Sequence, residues 1–192
     1  VSLAKCERSL GSVALVDGET QGWTKFGLSS PRELIAAMAR ESGCFTLHDP
    51  ASGELSYLLA DLDAAEAVLI DPRGRDLAVL RALLAEHGLR LRWILRTHHH
   101  DAAQPAERDL LMQLHAPIVQ GEAGEGVHAV ADGDILPFGN ELVRVLATPG
   151  HTANDRSYAW RDRLFCGGTL AVQDCPHQPL PAAPQALWDT VT

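Results

Sequence analysis

Three consecutive histidines stand in the stretch RTHHHDAAQ, which runs from Arg96 to Gln104. His98 and His100 are two residues apart, so on a loop that leaves a strand both imidazoles can turn toward one point. A further histidine, His151, lies in the separate stretch TPGHT. Three imidazoles that converge from two loops match a tetrahedral zinc site with one open position, and the same ligands suit iron. We therefore take His98, His100 and His151 as candidate metal ligands; the spacing alone also allows solvated loop histidines.

The predicted elements place both histidine loops at the ends of strands. The stretches 91–97 and 142–148 are typical of strands, and each leads directly into one of the two loops. An amphipathic helix is predicted over 75–87 and a further helix over about 105–115, and a hairpin is predicted around the turn RDR. Strands that alternate with helices and also form hairpins indicate an α/β fold with a mixed sheet. Ligand sites in such folds tend to lie at the carboxyl ends of strands.

The chain divides into two parts by its pattern of elements. Residues 1–43 contain a predicted strand over 12–18 and a predicted helix over 31–42, whose start carries a capping box and a proline at the first helical position. A different pattern, richer in strands, begins at Cys44. We therefore predict an N-terminal extension over residues 1–43 and a main domain over residues 44–192.

The bulk composition excludes several classes of function. The chain has 192 residues and a net charge of −9 at pH 7, which disfavours binding to nucleic acid or anionic lipid through bulk charge. No stretch approaches the roughly 20 apolar residues of a membrane span. The first ten residues lack the long apolar core of a signal peptide, and the four cysteines form no C-x-x-C pair. We therefore expect reduced thiols and a cytoplasmic location.

Several motifs over about residues 44–190 occur in an order that resembles the metallo-β-lactamase superfold, and within it the glyoxalase II and persulfide dioxygenase group. The stretch LRLRWILRTHHHDAA stands where the family carries T-H-x-H-x-D-H, and TPGHT matches the family motif. RLFCGGTL stands where the family has F-T-G-D-T/A-L, and QDCPHQPL where persulfide dioxygenases have a G-C-G-R-T-D-F type stretch. The resemblance implies an αββα sandwich with mixed sheets, whose C-terminal part is incomplete in this sequence.

Site residues follow from the resemblance position by position. His98, His100 and His151 match the histidines that hold the first metal in the dinuclear hydrolases. In the mononuclear persulfide dioxygenases the iron uses the equivalents of His98 and His151 together with an aspartate of the G-D motif. Cys175 matches a cysteine near that active site, and His177 stands where an arginine contacts the glutathione carboxylate.

Three departures from the family pattern reduce the predicted site. Ala102 and Ala103 replace two ligands of the second metal, and Gly168 replaces the aspartate of the G-D motif. We therefore expect one Fe(II) or Zn(II) ion at most, or none. Three residues of the sequence are candidates to replace the missing carboxylate as a ligand: Asp155, Asp174 and Cys166.

Two functions of different classes remain. In the first, the chain is a pseudoenzyme with a structural or partner-binding role, and an open sheet edge is covered by residues 1–43, by a second copy of the chain or by a partner subunit. In the second, a mononuclear iron or zinc enzyme acts on persulfide or glutathione-type sulfur compounds. Cys175 and His177 would then line the substrate side, and Gly168 would open the coordination sphere of the metal.

Overall fold

The chain divides into two units, Val1–Leu55 and Ser56–Thr192. The structure, a computed structural model, describes residues 11–14, 45–48, 55–99, 104–170 and 181–192. In the first unit, β1 (Gly11–Ala14) pairs in parallel with β2 (Phe45–His48). The helix predicted over 31–42 lies outside the described residues, and the domain boundary that the sequence predicts after residue 43 stays a prediction.

The first sheet of the second unit is mixed and holds five strands in chain order. The first pair is antiparallel and the remaining neighbours are parallel, with a helix in each of two connections. The second strand of this sheet is apolar almost throughout because the sheet buries it on both faces. The elements are β3 (Tyr57–Asp61), β4 (Glu66–Ile70), α1 (Leu77–Glu86), β5 (Arg90–Leu95), α2 (Gln104–Met112), β6 (Ile118–Gln120) and β7 (Val127–Ala129).

The second sheet is antiparallel and has four strands, each of which pairs with its neighbour along the chain. Their bounds are β8 (Ile135–Phe138), β9 (Glu141–Ala147), β10 (Arg156–Trp160) and β11 (Arg163–Phe165), and helix α3 (Pro184–Val191) follows. The strands predicted over 91–97 and 142–148 are confirmed as β5 and β9, and the predicted hairpin as β10 and β11. Among the described strands, β8 and β11 are the edges of this sheet. Coverage of an open edge by another chain stays a prediction.

The two sheets of the second unit share one apolar core. Side chains of β4 and β5 pack in one buried cluster with side chains of β8, β9 and β10, including Ile70, Leu95, Phe138, Val145 and Tyr158. Burial of each such side chain contributes about 1.5–3 kcal/mol to folding. A second cluster joins Leu111 of α2 to Ile94 and Ile118 of the first sheet. The predicted α/β class, with two facing sheets, is therefore confirmed.

Two carboxylates connect the sheets at the end opposite the histidine loops. Asp61, at the end of β3, accepts hydrogen bonds from the backbone and side-chain nitrogens of Asn140, at 2.6 and 3.1 Å. Glu66, at the start of β4, accepts one from the backbone nitrogen of Gly139 at 2.7 Å. The turn between β8 and β9 is thus held by the turn between β3 and β4. None of the helices in the described part of the chain is long and apolar enough to cross a membrane.

Candidate metal centre

Each sheet delivers one of the predicted histidines to a common place. His98 follows the end of β5 in the first sheet, and His151 follows the end of β9 in the second. Their ring centroids are 5.0 Å apart and their ring planes are inclined by 85°. His151 is buried and His98 is half-buried. The two sheets therefore bring together two histidines that are 53 residues apart in the sequence (151 minus 98).

The His98 loop is held by a carboxylate at the end of the neighbouring strand. Asp71, which follows β4, accepts hydrogen bonds from the backbone nitrogen of Thr97 at 2.8 Å and from its hydroxyl at 2.7 Å. The same hydroxyl lies 2.8 Å from Nδ1 of His98. The carbonyl oxygen of Thr97 accepts from the backbone nitrogen of Arg156 in β10 at 2.7 Å. Both sheets therefore fix the backbone on which His98 is placed.

A buried tyrosine supports the same strand end from the core. The hydroxyl of Tyr158 donates to the carbonyl oxygen of Arg96 at 2.8 Å. Burial and then the negative charge of Asp71 raise the pKa of Tyr158 well above its usual range, so the hydroxyl stays protonated and remains a donor. Burial, followed by the charge of Asp71, also raises the pKa of Tyr57, whose ring packs edge-on against Phe165.

The His151 loop is held by its own polar residues. The carboxylate of Asp155 accepts hydrogen bonds from the backbone nitrogen of Thr152 at 2.8 Å and from the hydroxyl of Thr152. The carbonyl oxygen of Asp155 accepts from the backbone nitrogen of Thr148 at 3.1 Å, which closes the loop. Asp155 is 2% exposed. It therefore supports the loop. The suggestion from the sequence that Asp155 replaces the missing ligand stays a prediction.

Helix α3 is attached to the same loop from outside. The backbone nitrogens of Ala182 and Ala183 donate to the carbonyl oxygens of His151 and Gly150, both at 3.0 Å. The hydroxyl of Thr190 donates to the carbonyl oxygen of Pro149 at 2.9 Å. Three successive carbonyl groups, those of residues 149–151, thus accept hydrogen bonds from α3 and the residues just before it.

Two glycines bring the backbone against both imidazoles. A Cβ atom on Gly167 would lie 2.1 Å from Oγ1 of Thr97 and 3.0 Å from Nδ1 of His98. A Cβ atom on Gly168 would lie 2.3 Å from Cδ2 and 2.7 Å from Nε2 of His151. The His151 ring therefore lies directly against Gly168. The interpretation that this glycine opens the coordination sphere of the metal stays a prediction.

The other predicted site residues lie outside the described part of the chain. These are His100, Cys175 and His177, together with Ala102, Ala103 and Asp174. Within residues 55–99, 104–170 and 181–192, no group of three His, Cys, Asp or Glu side chains could hold a metal ion. The set of three histidine ligands therefore stays a prediction. Cys166, the cysteine that the structure does describe, is free and half-buried.

Sequence reasoning missed Asp71, Thr97 and Tyr158 as parts of this site. The dipeptide Asp71-Pro72 signals the end of a strand, and nothing in it shows which loop its carboxylate reaches. Thr97 stands next to His98 in the matched motif, which was the available signal. Tyr158 lies in an ordinary strand pattern, and its contact with Arg96 depends on the packing of one sheet on the other.

No family model matches the chain, but individual proteins do. It is 38% identical to a hydroxyacylglutathione hydrolase of Aliivibrio salmonicida, over 56% of this chain and 44% of that protein. It is 31% identical to the human mitochondrial persulfide dioxygenase ETHE1, over 67% of this chain and 53% of that protein. The crystal structure of ETHE1 from Myxococcus xanthus matches with a TM-score of 0.63 and 31% identity, over 76% of this chain and 66% of that chain. The chain thus spans about half the length of these curated relatives.

Proposed function

We propose that the chain is a divergent member of the metallo-β-lactamase fold, in the group that contains glyoxalase II and persulfide dioxygenase, and that its metal site is reduced. The observation that carries the proposal is the contact between Gly168 and the ring of His151. The resemblance assigns a ligand carboxylate to position 168, and here no side chain fits between the backbone and the imidazole. The site holds one Fe(II) or Zn(II) ion at most.

Catalysis of the family type is lost or reduced under this proposal. A bridging hydroxide needs two metal ions, and the resemblance places two ligands of the second ion at Ala102 and Ala103. The iron site of the persulfide dioxygenases uses a carboxylate that position 168 lacks. A structural or partner-binding role is the function that remains when both kinds of metal centre are incomplete.

The alternative is a mononuclear enzyme that acts on persulfide or glutathione-type sulfur compounds. It is supported by the 5.0 Å separation of the His98 and His151 centroids. Two imidazoles on one tetrahedral ion, with metal–nitrogen distances of about 2.0–2.1 Å, place their centroids about 5 Å apart. His100 would be the third ligand, and Cys175 and His177 would contact the substrate. When bound, such an ion would supply a Lewis acid at the site.

The number of metal ions bound per chain shows how many ligand positions of the family site are lost. The full chain is supplied with Fe(II) or Zn(II), freed of excess metal and measured for bound ions by mass spectrometry. The one-ion site predicts close to one ion per chain, which the double variant His98→Ala/His151→Ala loses. A matched control, His87→Ala/His128→Ala, removes two exposed histidines and should retain the ion. Two ions in the wild type would overturn the proposal.

Activity then separates the two functions. If the wild type binds one ion, oxygen uptake with glutathione persulfide and hydrolysis of a glutathione thioester are measured. Turnover that the His98→Ala/His151→Ala variant loses would establish the enzyme and contradict a purely structural role. A metal-bound chain without turnover of either substrate supports the pseudoenzyme, as does a chain that binds no metal.

A further inference from the structure

The carboxylate of Asp71, which follows β4, is linked to the imidazole of His98 through the hydroxyl of Thr97. The carboxylate of Asp71 receives both hydrogen-bond donors of Thr97, the backbone nitrogen on Oδ1 and the hydroxyl on Oδ2. Asp71 reaches this position with a φ of 45°, in a left-handed turn that aspartate tolerates better than most residues. Its own backbone nitrogen donates to the carbonyl oxygen of Leu95 at 2.8 Å, which fixes the turn to β5.

The direction of the hydrogen bonds follows from the number of protons. A threonine hydroxyl has one proton, and here it is donated to a carboxylate, which is an acceptor only. Toward Nδ1 of His98, at 2.8 Å, the hydroxyl oxygen of Thr97 can therefore only accept. Nδ1 must then carry the proton. In a neutral imidazole this leaves the lone pair on Nε2, which is the form that binds a metal.

The surroundings of Thr97 leave this geometry little freedom. The residue is 1% exposed, and its carbonyl oxygen is held by the backbone nitrogen of Arg156 at 2.7 Å. On the other side stands Gly167, with a φ of 50°, whose hypothetical Cβ would lie 2.1 Å from the hydroxyl oxygen of Thr97. The hydroxyl is therefore confined between Asp71, His98 and the Gly167 backbone.

We propose that Asp71 and Thr97 are positioning residues that hold His98 in the tautomer with the proton on Nδ1, so that Nε2 is presented as a ligand. The inference rests on the proposed one-ion site for its purpose, but the tautomer itself is a property of the metal-free chain. Interactions around metal-binding histidines commonly change metal affinity by about 10–100-fold. We call Asp71, Thr97 and His98 together the relay.

Replacing the carboxylate by an amide should reverse the relay. In Asp71→Asn, the backbone nitrogen of Thr97 keeps the amide oxygen on the Oδ1 side, which places the amide NH₂ group against the hydroxyl oxygen. The hydroxyl of Thr97 then has to donate to Nδ1 of His98, and the imidazole proton moves to Nε2. We expect the tautomer of His98 to invert and its metal affinity to fall about 10–100-fold.

The tautomer is read by ¹⁵N NMR of the full chain labelled on its histidines and freed of metal with a chelator. The spectra are recorded at about pH 8.5, roughly two units above the usual histidine pKa of about 6.5, so that imidazoles are neutral. The signals of His98 are assigned by their loss in His98→Gln. The expected result is a proton on Nδ1 in the wild type and on Nε2 in Asp71→Asn.

Three further variants complete the test. Thr97→Ser keeps the hydroxyl and should preserve the wild-type tautomer, whereas Thr97→Val removes it and should leave a mixture. Asp132→Asn alters another carboxylate that accepts from a backbone nitrogen, that of Ala147, and should leave the tautomer of His98 unchanged.

Two results would overturn the inference. One is a His98 proton on Nε2 in the wild type. The other is the same tautomer in the wild type, Asp71→Asn and Thr97→Val. A wild type that binds no metal would overturn the one-ion site alone, because the tautomer is still measured.

Discussion

At the scale of single residues, the contact between Gly168 and His151 changes the meaning of a missing ligand. Loss of a ligand aspartate could leave a vacant coordination position, which an aspartate introduced at that residue would fill again. Here the imidazole of His151 is 5% exposed and its ring atoms come within 2.7 Å of the place where a Cβ would be. The glycine and the position of the imidazole therefore depend on each other.

Substitutions at Gly168 should displace His151. Because a Cβ would overlap the ring, Gly168→Ala should lower the free energy of unfolding by about 1–3 kcal/mol, as overpacking of a filled site does. Gly168→Asp, which restores the family residue, should lower stability at least as much and should weaken metal binding. Urea unfolding and metal titration measure the two effects.

The matched control for this prediction is Gly124→Ala. A Cβ on Gly124 meets nothing within 4 Å, so the same change in backbone freedom occurs without the overlap. Its free energy of unfolding should stay within about 0.5 kcal/mol of the wild type. Metal binding that becomes tighter in Gly168→Asp would contradict the proposed dependence and would show that the ligand site is merely vacant.

Sequence reasoning reaches some residues of this site and not others. His98 and His151 were found because each stands in a matched motif at the end of a predicted strand, and the two sheets do bring them together. The support that Asp71 gives to Thr97 was not found, because it depends on a left-handed turn and on which strands are neighbours. The closeness of Gly168 to His151 also depends on three-dimensional packing, which spacing does not record.

At the scale of elements, helix α3 is part of the site that places His151. Pro184 stands in its first turn, where the missing N–H of proline costs nothing, and the residues before it donate to the His151 loop. A Cβ on Gly150 would lie 2.4 Å from Cα of Leu187, so the loop and the helix touch through their backbones. The loop conformation is therefore fixed by α3 as well as by Asp155.

Removing one hydroxyl should loosen this attachment. Thr190→Val deletes the hydrogen bond to the carbonyl oxygen of Pro149 and should lower the free energy of unfolding by about 1 kcal/mol. The amide protons of Ala182 and Ala183 should exchange faster, because both donate to the same loop. Hydrogen exchange followed by NMR measures this local effect.

The same helix offers the control. Thr192→Val also removes a threonine hydroxyl from the end of α3, but that hydroxyl donates to Trp188 within the helix, and Thr192 is exposed. It should leave the exchange of Ala182 and Ala183 unchanged. Equal acceleration in both variants would mean that general fraying of α3, and not the contact with Pro149, controls the attachment.

The positions of the helices and strands along the chain were predicted better than the contacts between them. Alternation and helical periodicity are local properties, so β5, β9 and α1 could be located from the sequence. The parallel pairing of β1 with β2 joins residues 11–14 to residues 45–48, and no local pattern specifies a partner at that distance. The attachment of α3 to the His151 loop is likewise a long-range contact.

At the scale of the whole second unit, the two sheets are joined at both ends by different chemistry. At one end, hydrogen bonds of Asp71, Thr97 and Arg156 surround the histidines. At the other end, the carboxylates of Asp61 and Glu66 hold the turn between β8 and β9. The apolar core lies between them and supplies most of the favourable free energy of folding.

The hydrogen bonds that Asp61 and Glu66 accept make the stability of the second unit sensitive to acid. The hydrogen bond from the backbone of Asn140, followed by that from Ala64, lowers the pKa of Asp61. The hydrogen bond from Arg90 and then that from the backbone of Gly139 lower the pKa of Glu66. A carboxyl whose pKa is lower in the folded chain stabilises the fold above its unfolded pKa of about 4, and this contribution disappears as the pH falls through the folded value.

The urea midpoint of the wild type should therefore be constant near neutral pH and fall steeply below about pH 4. Asp61→Asn should be less stable at neutral pH, because the amide can no longer accept from all of its present donors, and its midpoint should fall less on acidification. Asp162→Asn, in an exposed turn of the second sheet, is the control and should keep the wild-type slope. Parallel acid curves for the wild type and Asp61→Asn would show that the join between the sheets does not depend on this charge.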